Sequence, residues 1–114
     1  MYKFEKLVVW QESLILMRLA YALCSKLPKQ EYGNLIDQLR RSATSINLNI
    51  AEGSGSENDR EFGRYLYIAR KSLYEVVAIL KIVEVIHNIN EQEIKLQTEK
   101  VGKILSGLIR KIKS

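Results

Sequence analysis

The sequence holds one cysteine, one histidine and one proline, and it has no acidic residue after Glu99. Each scarcity excludes something. With Cys24 alone, no internal disulfide forms, and a lone cysteine on an apolar stripe reads as a small buried hydrophobe. With His87 alone, neither a zinc site nor a Ser-His-Asp or Cys-His nucleophile has its parts. Glu84 and His87 form one Glu-x-x-His pair, but a di-iron bundle needs two. His87 falls at a helix end, where histidine commonly meets the last carbonyls. No uncharged apolar run approaches the roughly 18 residues that span a bilayer. Met1 to Lys6 leads into an interrupted apolar run without a small-residue cleavage site, so no signal peptide is expected and the cytoplasm is the expected location. Sustained alternation and Asn-Gly or Asp-Gly hairpins are missing, which removes strands. The Gly53-Ser54-Gly55 turn lacks the Gly-Lys-Ser/Thr of a P-loop. Glu91 and Glu93 lie at a helix cap. No enzyme, metal or cofactor is expected.

What remains is a chain of 114 residues, 46% hydrophobic, which suits one globular domain over residues 1–114. Its net charge is +5, and residues 1–99 carry 13 basic and 13 acidic side chains that cancel. The excess is Lys100, Lys103, Arg110, Lys111 and Lys113, so any electrostatic pull from net charge starts at the C-terminus.

Apolar spacing of three and four predicts four helices, at about 9–27, 32–52, 59–87 and 91–112. In the first, Trp10, Leu14, Met17, Tyr21 and Cys24 make one stripe. Leu16, Ala20, Leu23 and Leu27 make another beside it, and Pro28 ends the helix. In the second, Leu35, Ile36, Leu39, Ala43, Ile46 and Ile50 share a face. Gly53 is expected to stop it in a left-handed C-cap, with residues 53–56 as a flexible turn. The third opens on Asn58 with Glu61 in capping-box spacing, and Phe62, Leu66, Ala69, Leu73, Val76, Leu80 and Val83 run along it. The fourth has the cap pair Asn90 and Glu93 and the face Ile94, Val101, Leu105, Leu108 and Ile112, with Ile104 alongside. Gly102 and Gly107 cost it about 1 kcal/mol each relative to alanine, which makes it the least stable helix, fraying near Ser114. Short connections predict an all-α, antiparallel up-down-up-down four-helix bundle.

Two surface features bear on function. Tyr65, Ile68 and Ile79 widen the apolar arc of the third helix, Ile15 and Leu19 that of the first, and Leu48 lies opposite the core face of the second. An isolated bundle needs an arc of only about 100° or a little more, so a homo-oligomer is expected, with the first and third helices contributing. Opposite its core face, the third helix carries Arg60, Arg64, Tyr67, Lys71 and Tyr74. Two readings of this face stand. Cations interleaved with rings suit phosphates and unpaired bases; equally, tyrosines pack along basic stems on a solvated face. Arg40 and Arg41 add a second basic element and the C-terminal cluster a third, although basic residues there also complement the helix dipole.

Several segments carry a resemblance: Phe4-Glu5-Lys6-Leu7-Val8-Val9-Trp10-Gln11, Gln38-Leu39-Arg40-Arg41-Ser42-Ala43, Ser45-Ile46, and Asn49-Ile50-Ala51-Glu52-Gly53-Ser54-Gly55. Glu61-Phe62 and Ile68-Ala69-Arg70-Lys71-Ser72-Leu73-Tyr74-Glu75 follow in order. Over about residues 4–88 the chain resembles the bacterial 23S rRNA intervening-sequence protein family, also called four helix bundle proteins. The resemblance implies an antiparallel four-helix bundle, commonly a ring-like homopentamer. It implies an RNA or ribosome link through gene location. A relative, the accessory variability determinant of diversity-generating retroelements, binds nucleic acid and a reverse transcriptase. Asn49, Glu52 and Gly53 match the signature, and the first two are read as hydrogen-bonding to a neighbouring helix or the turn. Two departures stand out. Asn47 replaces the proline usual after Ser-Ile, weakening a kink in the second helix. Ser56, Asn58 and Asp59 replace a stretch that is often basic.

The expected function is a non-enzymatic, homo-oligomeric nucleic-acid-binding protein for RNA, carried by Arg40, Arg41, Arg64, Arg70 and Lys71 with Lys103, Arg110, Lys111 and Lys113. The alternative is an oligomeric adaptor or scaffold that docks a protein such as a reverse transcriptase. A membrane partner is not expected.

Overall fold

The computed structural model describes residues 1–113, and among them there are four α-helices and no strand. Helix α1 spans Val8–Cys24, α2 Asp37–Ser54, α3 Asp59–His87 and α4 Gln92–Lys113. Consecutive helices pack side by side, and α1 closes the square against α4. The result is an antiparallel bundle of 43 × 22 × 20 Å.

The helix ends follow local chemistry. A 3-10 turn at Lys3–Lys6 precedes α1. Helix α1 stops at Cys24, three residues short of expectation, because Ser25, Lys26 and Leu27 donate to carbonyls three residues back and tighten the last turn. Pro28 is extended, and a 3-10 turn and a π-turn over Tyr32–Ile36 lead into α2, which begins five residues later than expected. Asn58 caps α3, its Oδ1 accepting from the Glu61 N–H at 2.9 Å. Asn88, left-handed at φ 55°, closes α3. Helix α4 begins at Gln92, so Asn90 lies outside the cap position, and its side chain donates instead to Glu84 at 3.1 Å.

Gly53 corrects one expectation. It does not stop α2, which runs on to Ser54, and no described glycine has positive φ. Gly53 is buried inside the helix, where a Cβ would lie 2.6 Å from the Tyr65 Cβ and 2.9 Å from Phe62 Cδ1. The glycine is there because α3 passes too close for any side chain.

The core of α2 is as expected, and that of α3 is too, apart from a half-buried Phe62. Helix α4 buries Ile94, Val101, Leu105 and Ile109, while Leu108 and Ile112 are half-buried. Helix α1 chooses the second stripe. Val9, Ser13, Leu16, Ala20, Leu23 and Leu27 are buried in 4-3-4-3-4 spacing, while Leu14 and Tyr21 are exposed. Ser13 hides the extension of this stripe to Val9 in the sequence. Its hydroxyl donates to the Trp10 carbonyl at 2.7 Å and accepts from Asn47 Nδ2 at 3.0 Å. Asn47 therefore keeps α2 helical where a proline would remove a backbone donor, and it ties α2 to α1 through a satisfied buried pair. Ile79, expected to be surplus, is buried at 3% exposure, because α3 is wrapped more widely than its main stripe requires.

Candidate nucleic-acid interface

Helix α3 is 29 residues long and uninterrupted, so its 100° per residue holds Arg60, Arg64, Tyr67, Lys71 and Tyr74 on one side. Helix α4 runs antiparallel beside it, and Lys103, Ser106, Arg110 and Lys113 follow 3-4-3 spacing along one face. Specific contacts fix the register between the two. Arg70 Nη1 donates to Ser106 Oγ at 3.4 Å, and the Lys113 ammonium donates to the Tyr67 hydroxyl. Gly102 lies beside Leu73 and Gly63 beside Ile112. Arg70 and Lys113 thus meet at the α3–α4 edge, with Arg64 and Lys71 on the outer face of α3 and Lys103 on that of α4 beside it.

The two tyrosines of this edge differ. The Tyr67 ring carries Arg70 at 5.0 Å and Lys113 at 4.6 Å and packs partly on the core. The Lys113 hydrogen bond, aided by the charges of Lys113 and Arg70, draws its phenol pKa below the ordinary value. Tyr67 is therefore the aromatic packed along basic stems. Tyr74 is 70% exposed and lines a cleft between α3 and α4.

Four cations away from this edge have carboxylate partners. Lys26 pairs with Glu91, Lys95 with Glu84 at 3.0 Å, Lys100 with Glu12 at 3.2 Å, and Arg41 with Asp37 at 3.6 Å. Gln97 also donates to Glu12, and with Lys100 it holds that carboxyl below its ordinary pKa. Among the described residues, no ion pair takes up Arg64, Arg70, Lys71, Lys103, Lys111 or Lys113. Arg64, Lys71, Lys103 and Lys111 are exposed, while Arg70 and Lys113 lie against Tyr67.

Arg40 and Arg41 stand elsewhere. They belong to the outer face of α2, diagonal to α4 across the bundle. There they line a groove of about 590 Å³ with Tyr21, Leu48, Asn49 and Glu52, and Arg40 rests over the Tyr21 ring at 5.8 Å. Asn49 reaches back along its own helix, donating to the Ser45 carbonyl at 2.8 Å and to Ser45 Oγ at 3.1 Å. Ser45 carries the link to α3, its hydroxyl 2.9 Å from that of Ser72. Sequence reasoning missed this serine bridge, since the two residues are 27 positions apart and individually unremarkable. Glu52 is exposed at the groove.

The residues weighed for chemistry are engaged structurally. His87 Nε2 lies 2.6 Å from Glu31 Oε2, joining the end of α3 to the α1–α2 connection. That bond holds the Glu31 carboxyl below its ordinary pKa. Burial raises the Cys24 thiol pKa, which disfavours a nucleophilic thiolate. Among the described residues, no three of His, Cys, Asp and Glu are grouped as metal ligands, and no helix is long and apolar enough to cross a membrane.

Fold and surface together define a four-helix bundle with a basic α3–α4 edge. A solved structure with this architecture, described as a protein of unknown function from the S23 ribosomal protein family of Bacteroides thetaiotaomicron, matches with a TM-score of 0.77 and 27% identity. The match covers 94% of this chain and 100% of that one. The model of the 23S rRNA-intervening sequence protein family matches residues 5–109, and the chain belongs to that family. None of the curated proteins compared with the chain matches it.

Proposed function

We propose that this protein is a non-enzymatic, homo-oligomeric RNA-binding protein whose α3–α4 edge contacts the phosphate backbone. The observation that carries this reading is the grouping on neighbouring helices of Arg64, Arg70, Lys71, Lys103 and Lys113, none of them in an ion pair among the described residues. An unneutralised cation releases counterions when it meets phosphate, and that release dominates non-specific affinity. Arg40 and Arg41 form a separate element on α2, away from this edge, and Arg41 is already paired with Asp37. Self-assembly is supported by apolar side chains left in solvent: Leu14 and Tyr21 on α1, Leu48 on α2, and Ile68, Ile82, Val85 and Ile86 on α3. A ring, a pentamer by family resemblance, would repeat a modest basic edge and gain avidity without new contacts.

A second reading, an oligomeric adaptor for a protein such as a reverse transcriptase, draws support from the apolar surface of α1. Leu14, Ile15, Met17 and Tyr21 line a groove of about 320 Å³ there. Light scattering with and without a structured RNA separates the cases. A multimer whose mass rises on adding RNA supports RNA binding. A multimer that ignores RNA leaves the adaptor, and a monomer that ignores RNA removes both.

A further inference from the structure

The cleft between α3 and α4 carries a more specific reading of the basic edge, and it rests on the RNA-binding proposal above. Leu73, Val77 and Leu80 line it with apolar surface, Tyr74, Lys81, Lys95, Thr98 and Glu99 supply its polar groups, and Gly102 completes the lining. Its volume is about 290 Å³. Small-molecule sites run roughly 300–1,000 Å³, and this cleft lies just below that range, which suits nothing larger than a single planar heterocycle.

We propose that this cleft receives one unpaired RNA base, stacked on Tyr74. The chemistry separates a base from a phosphate. Most of the lining surface is apolar, and the Glu99 carboxylate would repel a phosphate while accepting a hydrogen bond from a base amino group. Phosphates belong instead at the rim. Lys81 is exposed there with no ion pair among the described residues, and Lys71 stands one helical turn before Tyr74. Lys95 is already held by Glu84 at 3.0 Å, so it does not compete for the backbone. Tyr74 supplies the platform because the other tyrosine of this edge, Tyr67, already has Arg70 and Lys113 against its ring. Duplex RNA hides its base faces, so the cleft selects single-stranded segments.

The test uses the full chain, with a fluorescein-labelled 12-residue oligoriboadenylate as the single strand and the same oligomer annealed to oligouridylate as the duplex. Stacking on one ring predicts that Tyr74→Ala loses about tenfold in single-strand affinity. Tyr74→Phe should stay within about twofold of the parent, and duplex affinity should be unchanged in both. Tyr74 ring resonances should move upfield on adding the single strand, while those of Tyr67 stay in place. Undiminished single-strand affinity in Tyr74→Ala, or an unshifted Tyr74 ring, overturns the base site and leaves the basic-edge reading intact; a cleft serving a protein partner would give this result. Failure of the parent protein to bind either probe removes both.

Discussion

Against α2, helix α3 packs so closely that no side chain fits at Gly53, whereas against α4 it leaves a cleft beside Gly102. Both glycines sit inside helices, where glycine costs about 1 kcal/mol relative to alanine. They differ in what a methyl group would meet. At Gly53 it would lie 2.6 Å from the Tyr65 Cβ, an atom tied directly to the backbone. At Gly102 it would lie 3.3 Å from Leu73 Cδ2, the free end of a flexible side chain, at the wall of an open cleft. One side of α3 is spent on packing and the other on surface. The unpaired cations stand on the second.

Substitutions sharpen this contrast. Gly53→Ala should lose about 2–3 kcal/mol, since overpacking outweighs the gain in helix propensity. Denaturant unfolding measures it, and a loss below about 1 kcal/mol would mean that the α2–α3 interface yields. Asn47→Ala removes the donor that ties α2 to Ser13 and should lose about 1–2 kcal/mol. The same substitution made together with Ser13→Ala should cost less than the two single losses added, because the partners share one bond. Gly102→Ala should change stability by less than about 1 kcal/mol in either direction, because Leu73 can give way. A loss matching that of Gly53→Ala would erase the distinction between the two interfaces.

The smallest effect is one of pH. The His87 hydrogen bond lowers the folded-state pKa of Glu31 from its ordinary 4.5, so the unfolded chain binds that proton more readily. This stabilisation is complete above 4.5 and fades as pH falls through the lowered folded value. Glu31→Gln should therefore flatten the acid limb of a stability-against-pH curve. An acid limb identical to that of the parent would show that the pair contributes nothing to it.

Much of the bundle was legible because α2 and α3 place apolar residues with little interruption at helical spacing. In helix α1 the choice between two stripes was not legible, since Ser13 interrupts the buried one while Leu14 and Tyr21 decorate the outside. A serine satisfied by Asn47 from another helix looks polar in sequence and behaves as core. Gly53 was misread for a related reason: a glycine before Ser-Gly-Ser resembles a helix stop, and its true cause, the approach of Tyr65, lies twelve residues on. At the candidate interface, the sequence named the cations but not their grouping. Register between α3 and α4 brings Arg70 and Lys113 together around Tyr67, and the diagonal position of α2 sets Arg40 and Arg41 apart.

The central claim is that the α3–α4 edge, and not the arginine pair of α2, carries the electrostatics of RNA binding. Affinity for a single-stranded RNA, measured by anisotropy across salt concentrations, tests it most directly. The parent should show a log–log slope of roughly −0.7 per phosphate contacted. The combined variant Arg64→Gln, Lys71→Gln, Lys103→Gln and Lys113→Gln should flatten that slope by about 2–3, while Arg40→Gln with Arg41→Gln should leave it nearly unchanged. A parent affinity indifferent to salt, or a slope that falls only in the α2 variant, would contradict the account.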